Sequence, residues 1–475
     1  MKKIVINPVT RIEGHAKVTI RLKENGKVDT ARMHIVEFRG FERFVQGRMY
    51  WEAPVIVQRL CGICPVSHLL CASKAMDRVI GADKLTPTAE KMRRLLHFGQ
   101  IYQSHALHFF HLSAPDLLLG FDADPAIRNV IGLAKQNKEL AIRAVKMRGY
   151  GQKVIEATAG KRIHGNGSIP GGVNKNLSIQ ERDSLLKDID KMVEWAHDGL
   201  KLYKELYRKD IERLSRLGSF ESNFLSIVRK DGALEFYDGK LRAKDPDGKL
   251  IFDKVEEKDY LKYIREGVRP WSYMKFPFIQ SLGQEKGWYR VGPLARINNC
   301  DFIDSPIAEK ERKEFMEFGR GKPVPSTMAY HWARLIETVH AAEKIKELLN
   351  DQDLQGEELV TSGKRRNEGI AIIEAPRGTL FHHYMVGDDD RITMANLIVA
   401  TTNNNQPMNE AVKRVAEEYL EGKKEITEPL LNTIEVAIRA YDPCLSCATH
   451  AIGMMPLEIT LEDPRGIIID YRVRG

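Results

Sequence analysis

Two short stretches at opposite ends of the chain decide how it reads: Arg59-Leu-Cys61-Gly-Ile-Cys64-Pro-Val-Ser-His68 and Asp442-Pro-Cys444-Leu-Ser-Cys447-Ala-Thr-His450. Each is a C-x-x-C turn followed by a histidine. Such a turn aims two sulfurs at one point, and two turns supply four thiolates for a soft or borderline metal such as Zn, Ni or Fe. Zinc ribbons space their pairs about 15–20 residues apart. Here the pairs are separated by almost the whole chain. A thioredoxin-like dithiol needs one pair beside a βαβ pattern, and that pattern is missing. Spacing alone leaves a catalytic or redox metal and a structural zinc of four cysteines both open.

Working outward, the segments between the pairs are mostly helical in pattern. Apolar residues recur at helical spacing over 50–113, 125–160, 178–216, 326–350 and 405–440. Strand-like alternation marks residues 2–45, short runs within 218–300, two strands around Pro376-Arg377-Gly378 (369–386), and a terminal hairpin, LEITLEDPRGIIIDYRVRG. The expected fold is mainly α with peripheral β: a large helical body, an N-terminal antiparallel β element and small β insertions. GNGSIPGGV (165–173) reads as a loop and matches no phosphate-binding pattern. The remaining thiols, Cys71 and Cys300, fit no ligand motif and read as buried structural cysteines. His105, His108 and His111 read as core or supporting residues, since no acidic residue sits in register with them.

Composition narrows the class. The chain has 475 residues, a net charge of +8 and six cysteines. Six is too sparse for a disulfide scaffold at this length. The hydrophobic fraction of 43% is enough to build cores, which excludes disorder as the main state. No apolar run approaches 18 residues, so no membrane span is expected. The start, MKKIVINPVT, lacks the apolar stretch of a secretory signal. A cytoplasmic protein fits. No basic stripe with interleaved aromatics points to nucleic acid.

Taken together, R-x-C-G-x-C and D-P-C-x-x-C-x-x-H resemble the large subunit of nickel–iron hydrogenases. Arg11-Ile-Glu13-Gly-His15, Phe38-Arg39-Gly40-Phe41-Glu42 and Glu374-Ala-Pro376-Arg377-Gly378 are similar to further motifs of that family. QSHALHFFHLSAPDLLLGFD, YRVGPLARIN and APRGTLFHHY resemble its cytoplasmic branch, linked either to pyridine nucleotides or, as in the F420-non-reducing enzymes, to heterodisulfide reductase.

The resemblance implies a specific site. Cys61 and Cys444 would be terminal nickel ligands. Cys64 and Cys447 would bridge nickel to an iron carrying CO and two cyanides. Glu13 would relay protons, and Arg377 would stand over the open metal position beside Pro376 and pair with Asp442. His68 would donate to a bridging sulfur, and Thr401 to a cyanide. Glu42, His450 and a carbonyl near Leu397 would bind magnesium. Two departures bear on this. Ser104 stands where many relatives have an Asp facing the arginine, and Ala400 where many have Pro.

With four cysteines spent on metals, two remain, too few for an iron–sulfur cluster. The resemblance therefore implies a small subunit carrying the clusters, with diaphorase or other acceptor subunits. It also implies one catalytic domain over 1–450, and an extension, 451–475, removed by a maturation endopeptidase. The expected activity is reversible H2 ⇌ 2H⁺ + 2e⁻, with NAD(P) as the acceptor, or heterodisulfide reductase or ferredoxin as the alternative. A zinc-stabilised or complex I-like scaffold is the non-enzymatic alternative.

Overall fold

The computed structural model describes residues 11–14, 16–35, 40–421, 427–445, 457–465 and 467–474. The first part of the strand-like stretch 2–45, up to residue 10, together with Cys447 and His450, lies outside them.

The elements that position the site are, in chain order, β1 (Lys17–Leu22), β2 (Val28–His34), α1 (Pro65–Val79), α2 (Pro87–Ala106), α3 (Val130–Gln136), α4 (Lys138–Ala159), α5 (Ile179–Lys209), β3 (Asn223–Val228), β4 (Lys240–Lys244), β5 (Leu250–Val255), α6 (Pro293–Asn299), α7 (Ala329–Leu349), β6 (Glu368–Ala375), β7 (Gly378–Val386), β8 (Ile392–Ile398), α8 (Asn405–Leu420), α9 (Glu428–Ala440), β9 (Leu457–Glu462) and β10 (Ile468–Arg474). Helix starts follow from local chemistry. Pro65 and Pro87 occupy first-turn positions, where a missing N–H costs nothing. The Thr86 hydroxyl accepts from Ala89 N–H, and Ser178 with Glu181 closes a reciprocal cap on α5. Past Ala106, α2 runs into a π-helical turn, Leu107–Ser113, that carries His108 and His111.

Helices α2, α4, α5 and α7 pack on one another around a core that includes Trp332, Tyr203, Tyr207 and Phe109. A second core joins Cys61, Cys64 and Cys444 to α1 and to the inner residues of β6–β8. These three strands form an antiparallel sheet, with β6 and β7 buried almost throughout. The insertion over 218–300 is a sheet of β3–β5 plus Tyr289–Arg290, and a separate hairpin, Ile264–Arg269 with Ser272–Ile279. The glycine–proline loop makes a minimal hairpin, Ser168–Ile169 with Gly172–Val173, whose carbonyls at Ile169 and Gly172 accept from buried Arg93.

The two chain ends share a sheet, in the order β10-β9-β1-β2. The terminal hairpin is as the sequence implies. The parallel pairing of β9 with β1, Val18 opposite Ile459, has no local signature. Arg21 and Glu462 form an ion pair across it at 2.9 Å. Among the described residues, no helix is long and apolar enough to cross a membrane.

Candidate metal centre

The C-x-x-C turn at 61–64 sits between a short 3-10 turn, Gln58–Leu60, and the start of α1. Its geometry is held by backbone donors. The N–H groups of Ile63 and Cys64 donate to Cys61 Sγ at 3.2 and 3.1 Å. The Ile63 carbonyl accepts from both Gln100 and Gln103 of α2, and the Cys61 carbonyl lies 3.0 Å from His164 Nε2. Cys444 follows α9 and approaches from the other side. Its N–H donates to Thr401 Oγ1 at 3.0 Å, and Leu445 N–H donates to the Glu13 carbonyl at 2.8 Å. The Glu13 main chain thus bridges in parallel to Cys444.

The result is that Cys61, Cys64 and Cys444 bring their sulfurs within 4.8 Å of one another, all buried. The Cys61 and Cys444 sulfurs are 3.4 Å apart, across 383 positions of sequence. None of the described cysteines is in a disulfide. Cys71 and Cys300 stand apart, as expected. Both are buried, their S–H groups reach backbone carbonyls, and burial pushes the Cys300 thiol up to about 12.

Arg377 lies in the two-residue turn between β6 and β7. The turn is tight: Ala375 pairs with Gly378, and a Cβ on Gly378, at φ +141°, would come 2.3 Å from Val291 Cγ2. The guanidinium donates through Nε to the Asp442 carbonyl (2.7 Å) and through Nη2 to Asp442 Oδ1 (3.0 Å). Burial alone would depress the Arg377 pKa, but Asp442 and the three thiols hold it well above its ordinary value. Its Nη1 has no partner among the described residues, and neither has the buried Ser104 Oγ. A small cavity opens beside this arginine, bounded by Cys64, His68, Pro376, Thr401 and Cys444.

Known proteins resemble this chain over most of its length. A model of nickel-dependent hydrogenases matches residues 39–129 and 236–450, and a HoxL-like model matches 3–38. The chain belongs to the nickel-dependent hydrogenase family. It is 48% identical to the beta subunit of the NAD-reducing hydrogenase HoxS of Cupriavidus necator, with both chains covered in full. It is 46% identical to the vhu F420-non-reducing hydrogenase of Methanocaldococcus jannaschii in its A chain, over 88% of this chain and 99% of that one. The crystal structure of an NAD⁺-reducing [NiFe]-hydrogenase in the H2-reduced state superposes with a TM-score of 0.92. That alignment is 55% identical and covers 95% of this chain and 100% of the other. The protein is a catalytic large subunit of a [NiFe] hydrogenase, an oxidoreductase acting on H2 within a multi-subunit complex.

The residues of this hydrogenase fit a soft metal centre. Three buried thiols converge, and a guanidinium N–H with no partner among the described residues lies on the same cavity. His68 also lines it and begins a chain of contacts, His68 Nδ1 to His382 Nε2 (3.3 Å) and His382 Nδ1 to the Tyr384 hydroxyl (2.8 Å). Glu42 Oε1 accepts from Leu397 N–H at 3.1 Å. Half-buried Glu266 lies in their field: burial and Glu42 raise its pKa, against the pull of Lys275, whose ammonium is 3.0 Å away.

Several supporting contacts were not read from the sequence. Arg11, before Glu13, donates to Asp116 Oδ1 at 2.5 Å, and Asp116 also receives Arg439 at the end of α9. One carboxylate therefore ties the Glu13 segment to the Cys444 segment. His105 meets an acidic partner from a different helix, Glu337 of α7, at 2.8 Å. Glu337 and Glu374 flank Arg296 of α6, which also donates to the carbonyls of Ala375 and Pro376 and so fixes the strand end that carries Arg377. Arg11, His164 and Asp442 all adopt positive φ without being glycine, at the segments that hold the thiols.

Proposed function

We propose that this chain carries out reversible heterolytic H2 cleavage at a nickel–iron centre and passes electrons through an iron–sulfur small subunit to NAD(P). The observation that carries the reading is the convergence of three buried thiols from both ends of the chain beside a guanidinium whose Nη1 meets no partner among the described residues. When bound, the centre supplies a redox-active pair of soft metals with an open position for H2.

The chain's own residues do the rest. Cys61 and Cys444 would hold nickel, and Cys64 and Cys447 would bridge it to the iron. Arg377 Nη1 and the Thr401 hydroxyl would donate to the iron's cyanides, with CO completing its set. The cavity wall of Ala375, Leu380 and Val399 excludes water, which strengthens each of these contacts. Cys444 Sγ would take the proton from H2. Glu13, whose main chain runs alongside Cys444, would carry that proton outward. Glu42, the Leu397 carbonyl and His450 would hold magnesium.

We further read residues 1–450 as one catalytic domain of a cytoplasmic enzyme. A maturation endopeptidase would remove 451–475, and diaphorase subunits would complete the assembly. The 46% identity to an F420-non-reducing hydrogenase chain supports a second acceptor reading, delivery to heterodisulfide reductase or ferredoxin.

Elemental mass spectrometry on the complex from its own host tests the centre. About one nickel per chain with iron in excess is expected, and zinc without nickel overturns the reading. Cys444→Ser should abolish both nickel retention and H2 oxidation. H2-dependent reduction of NAD⁺ against ferredoxin decides the acceptor. Intact mass of the mature chain decides the extension.

A further inference from the structure

Nearly all of the net charge of this chain sits in one place. Residues 125–162 hold nine lysines and arginines against two acids, a net of +7, where the whole chain carries +8. The stretch covers α3 and α4, and both helices fall between the two blocks matched by the hydrogenase family model. It is also where exposed aliphatics gather. Ile127, Val130, Ile131, Ile142 and Val145 all face solvent, Ile131 at 70% and Val145 at 61%.

On α4 the pattern is ordered. Ile142, Val145 and Gly149 recur at i, i+3 and i+7 and share one face, with Lys138, Lys146 and Lys153 beside them. Lys138 and Lys146 make no ion pair among the described residues, and Lys153 has only a long one to Asp188 at 3.6 Å.

The glycines of Gly149-Tyr150-Gly151 sharpen the point. Gly151 has an internal reason: a Cβ there would meet Gln103 and Gly99 of α2 within 2.8 Å, so it permits the close α2–α4 crossing. Gly149 lies on the other face, and a Cβ there meets nothing within 4 Å. A mid-helix glycine weakens the helix. Nothing inside the chain repays that cost at Gly149, whereas the close approach of a second backbone would.

We infer that the α3–α4 face docks a second protein subunit, one whose facing surface has an apolar centre ringed by aspartates and glutamates. Charge complementarity names the ring, the aliphatic stripe names the centre, and Gly149 names the closeness of approach. An anionic membrane would meet the same charge. Interfacial helices, however, anchor through Trp, Phe or Leu, and the only aromatic on α4, Tyr150, is buried. The inference rests on the multi-subunit reading above, and nickel content separates failure of one from failure of the other.

Zero-length carbodiimide cross-linking of the wild-type complex is the primary test. It should join Lys138, Lys146 or Lys153 to carboxylates of one partner subunit. An intact, nickel-containing complex with no such cross-link overturns the inference. Two variants read the same face by native mass spectrometry of the complex. Ile142→Glu with Val145→Glu should cut that partner's occupancy at least tenfold with nickel retained. Gly149→Gln should raise the melting temperature of the full chain by a few degrees while also lowering that occupancy, a combination that general destabilisation cannot give. Retention of all subunits in both variants overturns the proposal. So does co-sedimentation of the intact wild-type complex, but not of the double variant, with vesicles containing phosphatidylglycerol.

Discussion

Two buried arginines a few residues from the same turn serve different ends. Arg296 uses every N–H it has: two go to Glu337, one to Glu374 and two to the carbonyls of Ala375 and Pro376. Among the described residues Arg377 uses two, both on Asp442, and its Nη1 meets no partner beside three thiols. A saturated guanidinium holds a fold in place. An unsaturated one is costly unless something arrives to meet it. The difference separates scaffold from site within one strand end.

The largest effect should come from breaking the saturated side. Arg296→Met leaves Glu337 and Glu374 buried without their cation. We expect a loss of about 3–5 kcal/mol, read as a fall in melting temperature and soluble yield. Adding Glu337→Gln and Glu374→Gln should restore part of it. Recovery of neither property would break the assignment of Arg296 as scaffold.

On the unsaturated side, Arg377→Lys should leave the melting temperature nearly unchanged. H2 oxidation should fall roughly a hundredfold to a thousandfold, the range for removing one oriented donor from a catalytic site. A large drop in stability with activity per nickel preserved would reverse the comparison.

Acid should discriminate more gently. Burial depresses the pKa of His105, beside Glu337, to about 4. Below pH 6.5 the unfolded chain binds a proton that folded His105 refuses until about pH 4, so stability should fall as pH is lowered through that window. The slope from this residue approaches about 1.4 kcal/mol per pH unit. In thermal melts across pH 4–7, His105→Gln should flatten that slope. An unchanged slope would mean that His105 does not set it.

The smallest effect concerns Thr401. Thr401→Val deletes the acceptor of the Cys444 N–H, at a cost of about 1–3 kcal/mol for the stranded donor. We expect weakened nickel retention on dialysis, whereas Thr401→Ser should retain it.

What the sequence made legible follows the same division. Cys61, Cys64, Cys444, Arg377 and Asp442 stand in short motifs; the structure brings the three thiols together and seats Arg377 on Asp442. The long helices announced themselves through 3.6-residue periodicity. Arg296, Glu337 and Asp116 had no such signal. Glu337 sits 41 positions from Arg296, and Asp116 lies 323 from Arg439. A lone Arg or Glu within an otherwise apolar helix gives no hint of the partner that tertiary packing will deliver. The pairing of β9 with β1 was hidden for the same reason, since each strand alternates properly whether or not it finds the other.

The 383 positions between Cys61 and Cys444 also set a clock. At about 5–20 residues per second of synthesis, the second thiol trails the first out of the ribosome by roughly twenty seconds to over a minute. In that interval the first turn can fold against α1 and α2, but no local contact can close the set. Loading of the centre is therefore an event of the finished polypeptide, and any agent that delivers metal must wait for the last few dozen residues to arrive.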